Sequence, residues 1–328
     1  MRILIVKLSS LGDVIQTLPV LCDLRREFSG VAIDWVVEEA FAPLLAQVEG
    51  VDRIHSIGLR RWRHRLFSAG MHRERQAFKA RLRQDAYDAV IDFQGLIKSA
   101  WVARRARLTA AGHRYTYANG SELCGYEWPV RYMVDRPVAM ERRVHAVRRY
   151  RLLAARALGY SIEEVPPRVD WRFALPGANR IDVLFAHGTT RTDNEWPEGS
   201  WVDIGRRLAA TGFRVVLPQA GAAEALRVQR VADAIGDAVE VLPPMALDAI
   251  ARRMAACAGV IGVDSGLSHL AVALDLCHVQ IFSQPRARRA GPVGSAYQLP
   301  VGGEAAPSAD AVWETWQQAW AARRPAVA

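Results

Sequence analysis

The chain is poor in cysteine, and nowhere does it carry a long apolar run. Its four cysteines, Cys22, Cys124, Cys257 and Cys277, stand far apart, with no Cys-x-x-Cys pair among them. That spacing offers neither a zinc-ligand set nor a disulfide framework, and reads as the reduced thiols of a cytoplasmic protein. No stretch approaches the roughly 20 apolar residues that cross a bilayer. The opening apolar run is too short for a signal peptide and leads straight into a polar loop. Internal repeats are also missing, which excludes solenoids and propellers. Acid is the other shortage. Only 34 Asp and Glu stand against 43 Lys and Arg, giving a formal net charge of +9 over 328 residues. The excess is mostly arginine. It clusters at positions 60, 61, 63, 65, 73, 75, 81 and 83, and again at 142, 143, 148, 149 and 151. Both clusters fall in the first half, so that half is expected to meet an anionic partner. No aromatic-interleaved basic motif supports nucleic acid in that role.

What is present is a regular alternation of short apolar runs and helical spacings. Strands are expected at 3–6, 32–37 and 89–93, with helices near 71–84 and 143–158. The segment 161–180 holds Pro166, Pro167, Pro176 and Gly177 without periodicity, and reads as a linker. Alternation then restarts, with strands at 183–186, 215–217, 239–242, 260–262 and 279–282. Two βαβ series imply an α/β chain of two doubly wound, Rossmann-like domains facing each other across a cleft. The expected division is 1–165, a linker over 166–180, and 181–328. The aromatic stripe of the last helix (Val312, Trp313, Trp316, Trp320) reads as packing, and that helix is free to return to the first domain.

Four strand-to-helix turns carry candidate chemistry, because ligands of such folds sit beyond the carboxyl ends of the strands. The first is Lys7-Leu-Ser-Ser-Leu-Gly-Asp13. A carboxylate at a helix start can cap it, but it would repel a phosphate there. Asp13 therefore either caps a helix or does chemistry other than phosphate binding. The second is Val263-Asp-Ser-Gly-Leu-Ser-His269, where Ser265 and Gly266 open a helix and suit a pyrophosphate, with His269 one turn on. The third, His187-Gly-Thr-Thr-Arg-Thr-Asp-Asn-Glu-Trp-Pro-Glu198, offers hydroxyls to a phosphate, while Trp196-Pro197 is an ordinary helix entry. Glu224, at the start of a later helix, is equally a first-turn acid or a partner for ribose hydroxyls. The fourth is Asp92-Phe-Gln-Gly-Leu-Ile-Lys-Ser99. With a helix from Gly95, it would aim Gln94, Lys98 and Ser99 at the cleft, and Lys98 against the helix dipole argues for an anionic ligand.

Taken together, these stretches resemble the ADP-heptose lipopolysaccharide heptosyltransferases of glycosyltransferase family 9, and most the branch that adds the first heptose to Kdo. The likeness runs over about residues 1–320 and is most specific in MRILIVKLSSLGDVIQTLP, DFQGLIKSA and VDSGLSH. It implies the GT-B fold, inversion at the anomeric carbon, no cofactor and no bound metal. It also implies an ADP-sugar donor in the second domain and Kdo2-lipid A in the first. The protein would sit in the cytoplasm, peripheral on the anionic inner face of the inner membrane, with no nucleic acid partner. By the resemblance, Asp13 is the catalytic base. Thr189, Thr190, Asn194, Glu224, Asp264, Ser265, Gly266 and His269 face the donor. Ser10, Arg60, Arg61, Arg63, Gln94 and Lys98 face the acceptor. The chain departs from the family pattern at Asn194, where a lysine is usual, and at Ser283-Gln-Pro-Arg-Ala287. Arg286 or Arg288 could supply the charge that Asn194 lacks. Ser121-Glu122-Leu123 and Arg148 also differ from the pattern. The rival readings are a related transferase with another donor or acceptor, and a non-catalytic sugar-nucleotide binder.

Overall fold

A computed structural model describes residues 1–63, 69–175 and 181–323; of Arg63, Ala69 and Ala223 it describes the backbone only. Arg65, the expected linker end at 176–180 and the last five residues lie outside the described set. Two compact units divide between Arg172 and Phe173. In the first unit the strands are β1 (Arg2–Val6), β2 (Ala32–Glu38), β3 (Arg53–Ile57), β4 (Ala86–Asp92), β5 (Arg107–Tyr117) and β6 (Arg136–Val138). Its helices are α1 (Leu11–Thr17), α2 (Pro19–Glu27), α3 (Ala42–Leu45), α4 (Leu59–Arg63), α5 (Ala69–Leu82), α6 (Ile97–Ala103) and α7 (Ala146–Leu158). The second unit holds β7 (Asp182–Ala186), β8 (Arg214–Leu217), β9 (Val239–Val241), β10 (Gly259–Val263), β11 (Cys277–Phe282) and β12 (Gln298–Gly302). Between and after them run α8 (Glu198–Ala210), α9 (Ala222–Ile235), α10 (Leu247–Ala255), α11 (Gly266–Ala273), α12 (Ala287–Ala290) and α13 (Ala309–Arg323).

The first sheet is ordered β3-β2-β1-β4-β5-β6 and the second β12-β11-β10-β7-β8-β9. Every strand pair is parallel. Counted within its own unit, each sheet has the doubly wound order 3-2-1-4-5-6. A parallel sheet is covered by helices on both faces, so its central strands must be apolar on both sides. β1 meets that demand, with Ile3, Leu4, Ile5 and Val6 fully buried between β2 and β4. The strands that sequence periodicity did not reveal are β3, β5, β6 and β12. β3, β6 and β12 are edge strands, where one flank is open and a continuous apolar run is not needed. Pro137 and Pro300 sit in two of them.

Helix α13 seats Val312, Trp316 and Ala319 in the core of the second unit. Gly259 makes room for it: a Cβ there would lie 2.8 Å from the Trp316 ring. Segment 170–172, expected as linker, is tied to the first unit. Glu49 N–H donates to the Asp170 carbonyl at 2.8 Å, and Arg172 reaches the carbonyls of Val48 and Val51 at 3.2 Å each.

The second arginine cluster is partly internal, so not all of its charge faces water. Arg149 is 2% exposed and stacks on the Tyr117 ring at 3.6 Å. Arg151, 1% exposed, grips both Asp23 oxygens at 2.7 and 3.0 Å and the Glu163 carbonyl at 2.9 Å. Helix periodicity places every third or fourth residue inward, so a run of arginines on α7 cannot all face water. Removing one partner of a buried ion pair strands the other charge. Arg151→Ala is therefore expected to lower unfolding free energy by about 3–5 kcal/mol in urea titration; a loss within about 0.5 kcal/mol, typical of surface sites, would contradict the internal role.

Candidate active site

In each unit, the adjacent strands whose crossovers leave in opposite directions are β1 and β4, and β7 and β10. Crevices open at such switch points, beyond the carboxyl ends of the strands. The loops after β1 and β4 carry the Asp13 and Gln94 motifs. The loops after β7 and β10 carry the Thr189–Asn194 and Asp264–His269 motifs.

Asp13 begins as a cap. Its Oδ2 accepts from the Ser10 N–H at 3.1 Å and the Ser10 hydroxyl at 2.8 Å, holding the start of α1. Its Oδ1 accepts from the Tyr150 hydroxyl at 2.7 Å and lies 4.0 Å from the Lys7 ammonium. Burial alone would raise the Asp13 pKa. The Lys7 charge and the hydrogen bonds from Tyr150 and Ser10 outweigh it and hold the carboxyl well below the usual range. The side chain keeps 27% of its surface exposed. Lys7 itself is buried, its ammonium bonded to the Phe93 carbonyl at 3.1 Å and the Tyr150 hydroxyl at 3.2 Å. Burial pulls its pKa down, against the pull of Asp13.

Gln94 holds this loop from the β4 side. Its Oε1 accepts from the N–H groups of Leu8 and Ser9 at 3.0 and 3.2 Å. Asp92 fixes Gln94 in turn, accepting from Gln94 N–H at 2.9 Å and Gly95 N–H at 3.3 Å, with the Ser99 hydroxyl 2.9 Å away. Burial pushes the Asp92 carboxyl up to about 6 against those bonds. α6 starts at Ile97, not Gly95, because Gly95 is left-handed (φ +70). Ser99 therefore turns inward and is fully buried, while Lys98 is exposed, with no partner among the described residues. Arg60 is exposed near the Phe41 ring, 5.8 Å from its centroid. Arg61 is engaged by Glu39 at 3.1 Å and Glu74 at 2.7 Å. The Arg63 side chain lies outside the described residues.

In the second unit, Ser265 is extended and opens α11. The first N–H groups of a helix lack internal partners and favour an anion. The Ser265 hydroxyl is buried there with no hydrogen-bond partner among the described residues. Asp264 Oδ1 lies 3.5 Å from His269 Nε2 and 3.3 Å from Gln280 Nε2. Burial would raise the Asp264 pKa, but His269, Arg286 and Arg289 pull it below the ordinary value. Asn194 is buried, its amide donating to the Asp264 carbonyl at 3.3 Å, so it joins the two loops. Arg286 supplies positive charge to the same corner, acting on both Asp193 and Asp264. Gly262 is required by close approach, since a Cβ there would lie 2.4 Å from Ser268 Oγ and 2.6 Å from Ala186 Cβ.

Thr189 accepts from the Arg191 N–H at 3.3 Å, and Thr190 is exposed. Glu224 lies in the first turn of α9 and accepts from the Ala220 N–H at 2.6 Å. Its other oxygen lies 3.7 Å from both His187 Nδ1 and Arg227. His187 Nε2–H donates to the Pro218 carbonyl at 2.8 Å, and Nδ1 accepts from Arg227 at 3.0 Å, as a neutral imidazole must. Burial lowers its pKa. A small, largely apolar hollow lies here, lined by His187, Trp201, Leu217, Arg227, Val228 and Val231. Among the described residues, no three His, Cys, Asp or Glu side chains gather as a metal site.

Sequence reasoning missed Lys7, Tyr150, Asp92 and His187 as parts of these sites. Lys7 carried a signal, since a lysine closing a fully apolar central strand must find a buried partner. Tyr150 carried none, because it lies 137 residues from Asp13.

Two doubly wound parallel sheets in one chain, each with a loaded switch point, define the GT-B architecture of glycosyltransferases. The family model for glycosyltransferase family 9 (heptosyltransferase) matches residues 75–314. Lipopolysaccharide heptosyltransferase 1 of Escherichia coli (strain K12) is 38% identical over 294 residues, covering 86% of this chain and 88% of that protein. The Pseudomonas aeruginosa lipopolysaccharide heptosyltransferase 1 is 39% identical over 287 residues, covering 86% and 78%. The solved E. coli heptosyltransferase WaaC with ADP superposes with a TM-score of 0.86 at 36% identity, covering 97% of this chain and 100% of that one. The chain belongs to glycosyltransferase family 9.

The Lys7–Asp13 pair has a pH signature. A depressed carboxyl pKa contributes stability that is present above the ordinary aspartate value, about 4, and is lost as pH falls through the depressed value. Lys7→Met is expected to cost about 2–3 kcal/mol at neutral pH, with the gap to the unsubstituted protein closing below about pH 4. Urea titrations across pH measure it, and a gap independent of pH would contradict the pairing.

Proposed function

We propose that this chain moves a heptose from ADP-heptose to a Kdo residue of the lipopolysaccharide inner core, with inversion and in a single displacement. The observation that carries the reading is the division of charge between the two units. A carboxylate kept ionised by Lys7 and Tyr150 stands at the first switch point. An anion-ready helix end stands at the second.

In this reading Asp13 accepts the proton of the Kdo hydroxyl as that oxygen bonds to the anomeric carbon. The bond from that carbon to the diphosphate breaks, and ADP leaves with the electron pair. The N–H groups opening α11, the Ser265 hydroxyl and His269 meet the growing phosphate charge. Arg286 supplies the cation that Asn194 does not. Thr189 and Thr190 complete the phosphate side, and the Glu224 carboxylate serves the ribose hydroxyls. Ser10, Gln94 and Lys98, with Arg60, Arg61 and Arg63, form the acceptor side. Gln94 works by holding the Asp13 loop, and Arg61 is available once Glu39 or Glu74 releases it. The reading assigns no resident metal or cofactor. A lipid-anchored acceptor supports reading the protein as cytoplasmic and peripheral on the anionic inner membrane. No helix among the described residues is long and apolar enough to cross that membrane.

General-base removal typically costs 10²–10⁴-fold in rate. Asp13→Ala is expected to bind ADP like the unsubstituted protein in calorimetry while transfer falls by about 10³-fold. Unchanged turnover would overturn the base assignment. ADP binding by the unsubstituted protein with no turnover on any Kdo acceptor would favour the non-catalytic binder.

A further inference from the structure

Beside the Asp13 loop, the first unit carries a small surface that packing does not explain. The turn Trp128–Tyr132 presents Trp128 at 68% and Tyr132 at 64% exposure, and Ile97, opening α6, is 46% exposed. Buried Val130 anchors the turn from below. The two rings meet edge to face at 6.2 Å, and the Arg131 guanidinium lies 4.6 Å from the Tyr132 centroid. Lys98 on α6, Arg131 in the turn and Arg136 at the start of β6 are exposed, and both α6 and β6 pack against the turn. The nearby acids are occupied. Glu127 accepts from the Ile97 N–H at 2.6 Å, and Asp135 from the Arg114 N–H at 2.9 Å.

We propose that Trp128, Tyr132 and Ile97, together with Lys98, Arg131 and Arg136, form the surface by which the protein docks on an anionic lipid bilayer. Tryptophan and tyrosine favour the boundary between headgroup and hydrocarbon, where an apolar ring and a polar edge are both satisfied. Basic side chains beside them favour anionic lipid. A protein partner needs roughly 1,000 Å² of complementary contact, far more than three side chains offer, whereas a bilayer accepts a wedge this small.

The surface is also coupled to the chemistry. Glu127 N–H donates to the Gly95 carbonyl at 3.0 Å, one residue from the Gln94 that holds the Asp13 loop. A bilayer engaged by this turn would therefore lie beside the acceptor side of the proposed site. The inference rests on the reading of a membrane-embedded acceptor, and specifies which side chains meet the membrane.

The test uses the full chain and vesicles of equal parts phosphatidylethanolamine and phosphatidylglycerol, with phosphatidylcholine vesicles as comparison. The unsubstituted protein is expected to cosediment with the anionic vesicles. The double variant Trp128→Ala/Tyr132→Ala is expected to bind them about tenfold more weakly, with an unchanged melting temperature. Its transfer to a water-soluble Kdo acceptor should stay at the unsubstituted level, while transfer to Kdo2-lipid A in vesicles falls. Equal cosedimentation of both proteins would overturn the proposal, as would failure of the unsubstituted protein to bind anionic vesicles. Concentration-dependent self-association that only the unsubstituted protein shows, with equal vesicle binding, would make the patch a contact between copies and overturn it too. Variant-sensitive vesicle binding without transfer to any acceptor would support the docking surface and sink the heptosyl-transfer reading instead.

Discussion

A buried ammonium must find its partners inside the protein, and Lys7 does so at the point where β1 ends. Its contacts are the Phe93 carbonyl after β4, the Tyr150 hydroxyl on α7 and the Asp13 carboxylate on α1. One charge thus draws together two central strands and two helices at the first switch point. Left unpaired, it would cost several kcal/mol or lose its proton. The same arrangement holds Asp13 ionised while leaving part of it open. The chain has only three lysines, Lys7, Lys79 and Lys98. Its other cations are arginines, whose wide guanidinium would not replace a compact ammonium in this setting.

The second unit solves the opposite problem with the same topology. The second switch point offers a helix end, a Ser265 hydroxyl without a partner among the described residues, and nearby guanidinium charge, with Asp264 held beside His269. The Asn194 amide binds the β7 loop to the β10 loop, and Gly262 lets α11 lie close on its strand. Arg286 arrives from the loop after β11, the next strand in the sheet. The loops after β7, β10 and β11 all leave the same edge of a parallel sheet, which lets the Arg286 charge act on Asp193 and Asp264.

The fold was legible where burial is two-sided. Ile3–Val6 and Val260–Gly262 are continuous apolar runs because central strands have no open face. β3, β6 and β12 were not legible, since an edge position tolerates Arg, His and Pro. The turns bearing Asp13, Asp264 and Ser265 could be read because small residues between a strand and a helix leave a local mark. Tyr150, which reaches Asp13 from far along the chain, left none. The arginine clusters misled in part. Composition records charge but not direction, and α7 turns Arg149 and Arg151 inward onto Tyr117 and Asp23. Glu224 was evenly balanced from its position, and in the structure one carboxylate oxygen accepts from the Ala220 N–H while the other lies toward His187 and Arg227.

The central claim is that the two switch points act on one transfer, the first removing a proton and the second receiving a diphosphate. Mass spectrometry of Kdo2-lipid A incubated with the purified chain and ADP-heptose tests it most directly. The account predicts a lipid heavier by one heptose residue, with one ADP released for each product. Bound ADP beside a Kdo2-lipid A of unchanged mass would contradict it.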